Sequence, residues 1–184
     1  MPNWCHNTLI VRGPNKELRK FKESASAEVE GEEECLSLQA LYPMPEDKER
    51  QLEEGKGCYL YSLPHREIQK TREEELRDAW YYWRIHHWGT KWDIGSYLFE
   101  AEGLLNFTFD SAWSPPIKAF DKVAADYPEL EFELRYYEMG SCFAGLCEWQ
   151  KGLMTKDEQG EPEDFWFSRE VYKSMLGEGE GCLN

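Results

Sequence analysis

The sequence predicts an α+β fold, because strand-like and helix-like patterns follow one another in a defined order. Four stretches have the residue pattern of a β-strand, and two others place apolar residues at helical spacing. An insertion, roughly residues 28–93, interrupts the series after the first helical stretch. With that region set aside, the order is strand, helix, strand, strand, helix, strand. This is the order of the ferredoxin-like fold, here with one extra edge strand and a long helical insertion.

Residues 3–12 are predicted as the first strand. Leu9 and Val11 fall on one face with Cys5, whereas Ile10 falls on the other face. Two half-apolar faces are typical of a strand in the interior of a sheet. A Gly-Pro-Asn turn then starts a helix, whose apolar positions at helical spacing are Leu18, Phe21 and Ala25.

The insertion begins with an acidic run, five glutamates in residues 28–34, which we expect to be a solvated loop. Residues 36–41 have the pattern of a short strand. A long helix is expected over about 66–88, because apolar residues recur at three- and four-residue steps in its second half. Gly89 is placed to end this helix, since glycine adopts the left-handed conformation of a C-terminal cap without strain.

The remaining strands follow the insertion as two hairpins with a helix between them. Residues 97–101 and 104–111 form the first hairpin around a Glu-Gly turn. Ser114 is expected to cap the second helix, with a proline as its first residue. Residues 130–136 alternate apolar and polar side chains clearly, and residues 142–149 pair with them as the extra edge strand.

The chain changes character after the second hairpin. Residues 155–164 are polar and predicted as a loop, whereas the aromatic run at 165–167 should pack on the body of the domain. Ser168 is expected to cap a last short helix, and the glycine- and glutamate-rich end to be disordered. We therefore divide the chain into a ferredoxin-like domain, residues 1–152, and an acidic C-terminal extension, residues 153–184.

Charge and composition restrict the classes of function. The 184-residue chain carries 36 acidic and 21 basic residues, a formal net charge of −15, and it contains eight tryptophans. Such a surface repels nucleic-acid phosphates and anionic membranes and favours basic partners, although its simplest role is to keep an aromatic-rich protein soluble. The six cysteines form no CxxC pair, and the sequence shows no signal peptide or membrane-spanning run. We expect reduced thiols and a cytoplasmic location in the host cell.

Several short motifs have an unusual composition. They are the N-terminal MPNWCHN, the WGTKWD segment (residues 88–93), the AWSPP corner (residues 112–116), and the EMG and FAG triplets at 138–140 and 143–145. In these motifs the chain resembles the YubB-like family of phage and plasmid proteins, across most of residues 1–150. The resemblance implies a ferredoxin-like domain and an origin in mobile elements. It implies no established activity and no catalytic residue.

The predicted topology brings two of these motifs together. Because the second and third strands form a hairpin, the WGTKWD segment should meet the AWSPP corner at one end of the sheet. The side chains expected to be neighbours there are Trp88, Lys91, Trp92, Asp93, Trp113 and Ser114. We place the first strand parallel to the third, which puts the N-terminal motif at the opposite end, beside the turn at 138–143. The six neighbours form either an aromatic-rimmed pocket or a loop that tryptophans hold over the sheet.

Familiar catalytic and ligand-binding patterns fit the sequence poorly. His86 and His87 are adjacent on a helix and point about 100° apart, so such a pair rarely shares one metal ion. Cys5 and His6 are neighbours on a strand, hence on opposite faces, and cannot act as a nucleophile–base pair. The glycines lack the lysine that follows in a phosphate-binding loop, and the third strand lacks the RNA-reading consensus. We therefore expect no metal, no cofactor and no enzymatic activity.

Binding is the class of function that remains. We expect an accessory protein whose clustered carboxylates bind a basic host protein or nucleoprotein complex, such as a defence nuclease, in place of nucleic-acid phosphates. The carboxylates assigned to this role are Glu30, Glu32, Glu33 and Glu34. One alternative is a small-ligand or catalytic pocket where the WGTKWD segment meets the AWSPP corner. A second alternative is RNA or single-stranded nucleic acid bound on the sheet.

The position of Asp93 distinguishes a reactive pocket from a structural loop. A carboxylate that faces a cleft beside Lys91 favours a pocket with chemistry. A carboxylate bound to backbone amides favours a turn cap.

Overall fold

The computed structural model describes residues 3–29, 32–62 and 71–176 of the chain. Its strands are β1 (Trp4–Arg12), β2 (Ala27–Val29), β3 (Glu32–Glu34), β4 (Ser96–Ala101), β5 (Leu104–Ala112), β6 (Glu131–Glu138), β7 (Phe143–Gln150) and β8 (Leu153–Gly160). Its helices are α1 (Asn15–Ala25), α2 (Leu38–Leu41), α3 (Lys48–Ser62), α4 (Arg72–His87), α5 (Ile117–Asp126) and α6 (Trp166–Leu176), with a short 3-10 helix at Pro162–Asp164.

The main sheet confirms the ferredoxin-like prediction. Its strand order is β4-β5-β1-β6-β7-β8, and every neighbouring pair is antiparallel. The four ferredoxin-like strands are β4, β5, β1 and β6, and β1 lies between β5 and β6 as its two half-apolar faces indicate. Leu9 on β1 is aligned with Phe107 on one side and with Leu134 on the other.

The direction of β1 relative to β5 corrects the predicted geometry. We expected the first and third strands to be parallel, but Trp4 is aligned with Ala112 and Arg12 with Leu104, an antiparallel pairing. The reason is topological. The path through α1 and the insertion returns the chain to the same end, so that β4 runs in the direction of β1. The hairpin then reverses the chain into β5.

Helices α1 and α5 cover one face of the sheet and form the core with it. Phe21 of α1 meets Phe107 and Phe132 edge-on, with ring centroids 6.1 and 5.4 Å away. Phe120 of α5 lies 6.5 Å from the ring of Trp149. All five side chains are buried. The helical spacing of apolar residues thus predicted this layer correctly.

The start of the insertion differs from the sequence prediction. The predicted strand at 36–41 is replaced by the short helix α2 (Leu38–Leu41), which Ser37 caps by accepting a hydrogen bond from Ala40 N. The acidic run expected to be a loop contains β2 and β3, which pair as a two-stranded antiparallel sheet. Residues 30 and 31 lie outside the described residues.

The rest of the insertion is a pair of packed helices. A Cβ atom on Gly55 of α3 would come 2.8 Å from the backbone nitrogen of Trp83 of α4, so glycine allows close approach. Helix α4 starts with a capping box between Thr71 and Glu74; the earlier part of the predicted helix lies outside the described residues. Gly89 follows α4 with φ of 84°, as predicted for a C-terminal cap. Among the described helices, none is both long and apolar enough to cross a membrane.

The sheet continues beyond the predicted second hairpin. Residues 153–160 form the edge strand β8 and pair with β7, although we predicted a loop at 155–164. An edge strand needs hydrogen-bonding partners but few apolar side chains, which is why its polar sequence was misleading. Ser168 lies inside α6 and donates a hydrogen bond to the Pro162 carbonyl, so it does not cap the helix. At Gly145 the backbone passes close to the ring of Tyr136, and a Cβ atom there would clash with its Oη.

Candidate functional site

The antiparallel pairing of β1 and β5 brings the N-terminal motif to the same end of the sheet as the AWSPP corner. Trp113 N donates a hydrogen bond to the Asn3 carbonyl at 3.0 Å. Asn3 Nδ2 also reaches Glu138 in the next turn, at 3.4 Å. The predicted meeting of the N-terminal motif with the 138–143 turn is therefore confirmed, whereas its separation from the AWSPP corner is wrong. The unusual motifs of the sequence converge on one end of the sheet.

The WGTKWD segment is fixed to the AWSPP corner by hydrogen bonds. Thr90 Oγ1 donates to the Ala112 carbonyl at 2.9 Å, and Ser114 Oγ donates to the Gly89 carbonyl. Trp88 is fully buried and donates from Nε1 to the Tyr42 carbonyl. The predicted contact between the two motifs is confirmed. Ser114 does not cap α5, because the helix begins later, at Ile117.

Asp93 acts as a structural cap. Its Oδ1 accepts hydrogen bonds from Leu38 N at 2.6 Å and from Ile94 N at 2.8 Å. Its Oδ2 accepts from Ser37 Oγ at 2.8 Å and from Gln39 N at 3.2 Å. One carboxylate thus joins the first turn of α2 to the residue that precedes β4. Both oxygens are engaged in this way, which is the arrangement of a cap and not that of a catalytic base.

Lys91 and Trp92 belong to an aromatic stack. The ring of Trp92 lies 5.7 Å from the ring of Trp4, a residue that the parallel arrangement had placed at the far end of the sheet. Lys91 Nζ lies 4.8 Å from the centre of the Trp92 ring and 5.8 Å from that of Tyr81. The lysine charge therefore stabilises the stack through cation–π contacts. Trp113 is 50% exposed and has φ of 72°, an unusual conformation for a residue with a side chain.

Glu138 holds the turn at this end of the sheet. It is only 3% exposed and accepts hydrogen bonds from Gly140 N and Ser141 N. Burial alone would raise the pKa of this carboxyl, but the hydrogen bonds from Ser141 and Gly140 outweigh burial and lower the pKa. Glu138 is consequently a charged, fully bonded structural group.

The sheet face opposite α1 and α5 is partly uncovered. Near β6 it is covered by Trp166 of α6, whose ring lies 4.7 Å from the guanidinium of Arg135. Near β4 it carries Tyr97 and Phe99, which are 88% and 65% exposed. We did not single out these two residues from the sequence, although their two-residue spacing in a strand shows that they share a face.

A groove of about 320 Å³ crosses β5 on this open face. It is lined by Trp4, Asp93, Gly95, Tyr97, Thr108, Phe109 and Asp110. Asp110 also pairs with His6, whose Nδ1 lies 2.6 Å from Oδ1, and both side chains are about half exposed. Aromatic walls beside carboxylates form an environment that suits a cation, such as the side chain of lysine or arginine.

His87 and the buried Cys5 make structural contacts. His87 stacks on Trp83 at 4.4 Å, and its Nδ1 shares a hydrogen bond with Tyr42 Oη. Burial, with the neighbouring His86, lowers the pKa of His87. Within the described ranges, no three metal-ligating side chains are grouped to hold an ion. Burial raises the pKa of Cys5 to about 12, which keeps the thiol protonated at neutral pH.

The structure describes three of the four glutamates that we assigned to partner binding from the sequence. Glu32, Glu33 and Glu34 form β3, whereas Glu30 lies outside the described residues. In a further acidic stretch, residues 46–54, Glu54 accepts hydrogen bonds from Arg50 and from Trp83 Nε1, and these bonds lower its pKa. Part of the charge of that stretch is thus neutralised within the insertion.

Two basic residues of the insertion also make contacts within the domain. Arg72 pairs with Glu49 and Glu75. The guanidinium of Arg84 lies 4.7 Å from the centre of the Trp88 ring, and burial lowers its pKa. Arg66 and Lys70 lie outside the described residues.

The strand order and the helical layer define an α+β domain of the ferredoxin-like class. Residues 87–173 match the family model described as the ferredoxin-like domain in Api92-like protein. Among solved structures, the chain is similar to the protein api92 from Yersinia pseudotuberculosis, with a TM-score of 0.51 and 11% identity; the match covers 88% of this chain and 98% of that one. At this identity the likeness shows the fold alone. No curated protein matches the chain.

Proposed function

We propose that this protein is a non-enzymatic accessory protein that binds a basic partner protein. The observation that carries the proposal is the groove on the open sheet face, which is lined by the carboxylates Asp93 and Asp110 and by the aromatic side chains of Trp4 and Tyr97. Exposed aromatic groups on a sheet face mark an interaction surface. Carboxylates at the same place favour a cationic partner.

The charge of the whole chain supports a basic partner. A net charge of −15 attracts positively charged proteins over a distance set by the Debye length, about 8 Å at physiological salt. This attraction accelerates association more than it tightens the final complex. The acidic hairpin formed by β2 and β3 supplies a second concentration of carboxylates, including Glu32, Glu33 and Glu34.

The roles of the reactive side chains support binding over catalysis. Asp93 caps α2, Lys91 lies on an aromatic stack, and the buried Cys5 thiol stays protonated. An active site requires such groups to converge on one space with free atoms. Asp93, Lys91 and Cys5 are instead used for capping and packing.

The class of partner follows from the resemblance to phage and plasmid proteins. A small acidic protein of a mobile element benefits from occupying the nucleic-acid-binding surface of a host defence nuclease. Carboxylates then occupy the positions of phosphates on that surface. The acidic hairpin is the part of this chain that we assign to phosphate mimicry.

The proposal is tested by capture from a nuclease-treated host lysate on the immobilised protein. We expect the captured proteins to be basic, to be released by salt, and to be displaced by double-stranded DNA. Two variants separate the acidic regions: the combined change of Glu30, Glu32, Glu33 and Glu34 to glutamine, and the single change Asp110→Asn. Capture that resists both salt and DNA would contradict a basic, nucleic-acid-binding partner.

One observation favours a second candidate, single-stranded nucleic acid. Tyr97 and Phe99 are exposed on a ferredoxin-like sheet, and aromatic side chains on a sheet can stack with bases. The groove beside them is acidic, however, and repels phosphates. Measuring the affinity for a fluorescent oligouridine against that for a basic peptide decides between the two candidates.

A further inference from the structure

Strand β4 forms one of the two edges of the main sheet. Within the described part of the chain it pairs with β5 alone, and the register runs without interruption from Ser96 opposite Phe109 to Ala101 opposite Leu104. Natural edge strands are usually protected by lysine, proline, a bulge or a cover, because an open edge pairs with other chains. The sequence of β4, SYLFEA, contains no lysine or proline, and it presents Tyr97 and Phe99 to solvent.

The opposite edge of the same sheet shows the usual protection. Strand β8 carries charged side chains, including Lys156, Asp157 and Glu158, and a register shift interrupts its pairing with β7 at Glu148. Both features discourage the addition of a further strand. The two edges of one sheet therefore differ, and only β4 combines a regular backbone with exposed aromatic side chains.

We propose that the edge of β4 binds an extended basic segment of the partner protein as an additional β-strand. This inference rests on the proposed function and specifies its binding mode. Backbone hydrogen bonds to β4 supply affinity in such a complex, and alternate side chains supply specificity. On the open face, a lysine or arginine of the added strand lies over the ring of Tyr97, with the Asp110 carboxylate beyond it in the groove.

The charge of the chain favours a basic segment, and not a second copy of this chain, as the strand that binds the β4 edge. Two copies would each bring a net charge of −15, and this like charge opposes their association. At the edge itself, Glu100 is already paired with Lys22. A basic segment instead meets the carboxylates of Asp93 and Asp110 in the neighbouring groove.

The test measures binding of a fluorescent, end-blocked peptide of alternating arginine and valine to the full chain by anisotropy. We expect Tyr97→Ala to weaken binding about tenfold. The change removes the tyrosine ring, and with it the cation–π contact and the apolar contact to one arginine side chain of the peptide. The matched control is Leu153→Ala on β8, which removes an exposed apolar side chain, 71% exposed, from the opposite edge. This control should bind the peptide as the native chain does.

Two further comparisons test the contributions of the peptide backbone and of the Asp110 carboxylate separately. A fully N-methylated peptide keeps the arginines but loses its N–H donors, and it should bind at least about tenfold more weakly. Asp110→Asn should weaken binding, whereas Glu158→Gln should not, since Glu158 is an exposed carboxylate paired with Lys156 on the far edge. Circular dichroism of each variant verifies that the fold is retained.

The outcomes separate the inference from the proposed function. Peptide binding that is unaffected by Tyr97→Ala and by N-methylation would overturn the edge-strand mode and leave a basic partner in place. An absence of peptide binding even at low salt would overturn both. Tighter binding of oligouridine, or self-association that Tyr97→Ala abolishes, would replace the basic segment with nucleic acid or a second copy.

Discussion

The two faces of the main sheet carry similar aromatic side chains but have different surroundings. On the face covered by helices, Phe21 and Phe107 are fully buried. On the open face, Tyr97 and Phe99 are 88% and 65% exposed. Aromatic composition therefore does not distinguish a core from a binding surface in this protein. The difference comes from the helical layer, which the chain supplies on one side and only partly on the other.

The largest expected effect is the difference in unfolding free energy between substitutions on the two faces of the sheet. Phe21→Ala should reduce the free energy of unfolding by about 3–5 kcal/mol, because it opens a cavity between Phe107, Phe132 and Tyr127. The matched change Phe99→Ala should alter stability by no more than about 0.5 kcal/mol. Urea unfolding followed by far-UV circular dichroism measures both. Similar losses for the two variants would mean that the open face is buried in solution.

The next effect concerns the hydrogen bonds by which Asp93 holds helix α2 of the insertion. Asp93→Asn replaces one acceptor oxygen by an amide group and removes the charge, so that the amides of Leu38 and Gln39 lose their carboxylate partner. We expect a loss of about 3 kcal/mol. Hydrogen exchange at α2 should accelerate.

Asp126→Asn is the control for this change. Asp126 is an exposed carboxylate that pairs with Lys122, and such surface pairs contribute about 0–1 kcal/mol. Equal losses for the two variants would contradict the capping role of Asp93.

A smaller effect depends on pH and tests the turn at the end of the sheet. The folded-state pKa of Glu138 lies below its ordinary value of 4.5, so its stabilisation is present above that value and is lost as pH falls through the folded pKa. Glu138→Gln should cost about 2 kcal/mol at neutral pH, and the difference from the native chain should shrink below pH 4.5. Urea unfolding of the native chain and the variant, at neutral and at acidic pH, measures this difference in stability. A difference that is independent of pH would contradict the assignment.

The smallest effect is expected on the open face. His6 pairs with Asp110, but both side chains are about half exposed. His6→Ala should therefore change stability by about 0–1 kcal/mol. Since it removes the side chain that pairs with Asp110, it should not weaken binding of the basic peptide in the anisotropy assay. Clearly weaker binding would show that His6 itself contacts the peptide.

Local patterns were sufficient to predict most elements. The alternation in β1 and β6 and the helical spacing in α1 and α5 reflect burial on one face, which a sequence records directly. The same patterns predicted that the WGTKWD segment meets the AWSPP corner, because a hairpin fixes the ends of its two strands. The cap at Gly89 followed from the conformational freedom of glycine.

The remaining errors arose where distant residues determine local structure. The segment at 36–41 becomes helical through Ser37 and the carboxylate of Asp93, which is distant in sequence. Strand β8 is defined by pairing with β7 and not by its own polar sequence. The direction of β1 depends on the whole path of the chain. The groove was missed for the same reason, since its walls come from β1, β4 and β5.

The positions of the tryptophans give the protein an internal optical reporter. Trp83, Trp88 and Trp149 are at most 1% exposed, so their emission is shielded from water and from dissolved iodide. Trp4, 43% exposed, forms a wall of the groove, so a bound ligand changes its emission and its quenching without any added dye. Comparison with Trp4→Phe isolates that signal from the signals of Trp113 and Trp166. Occupancy of the groove is thereby measurable in the unlabelled chain.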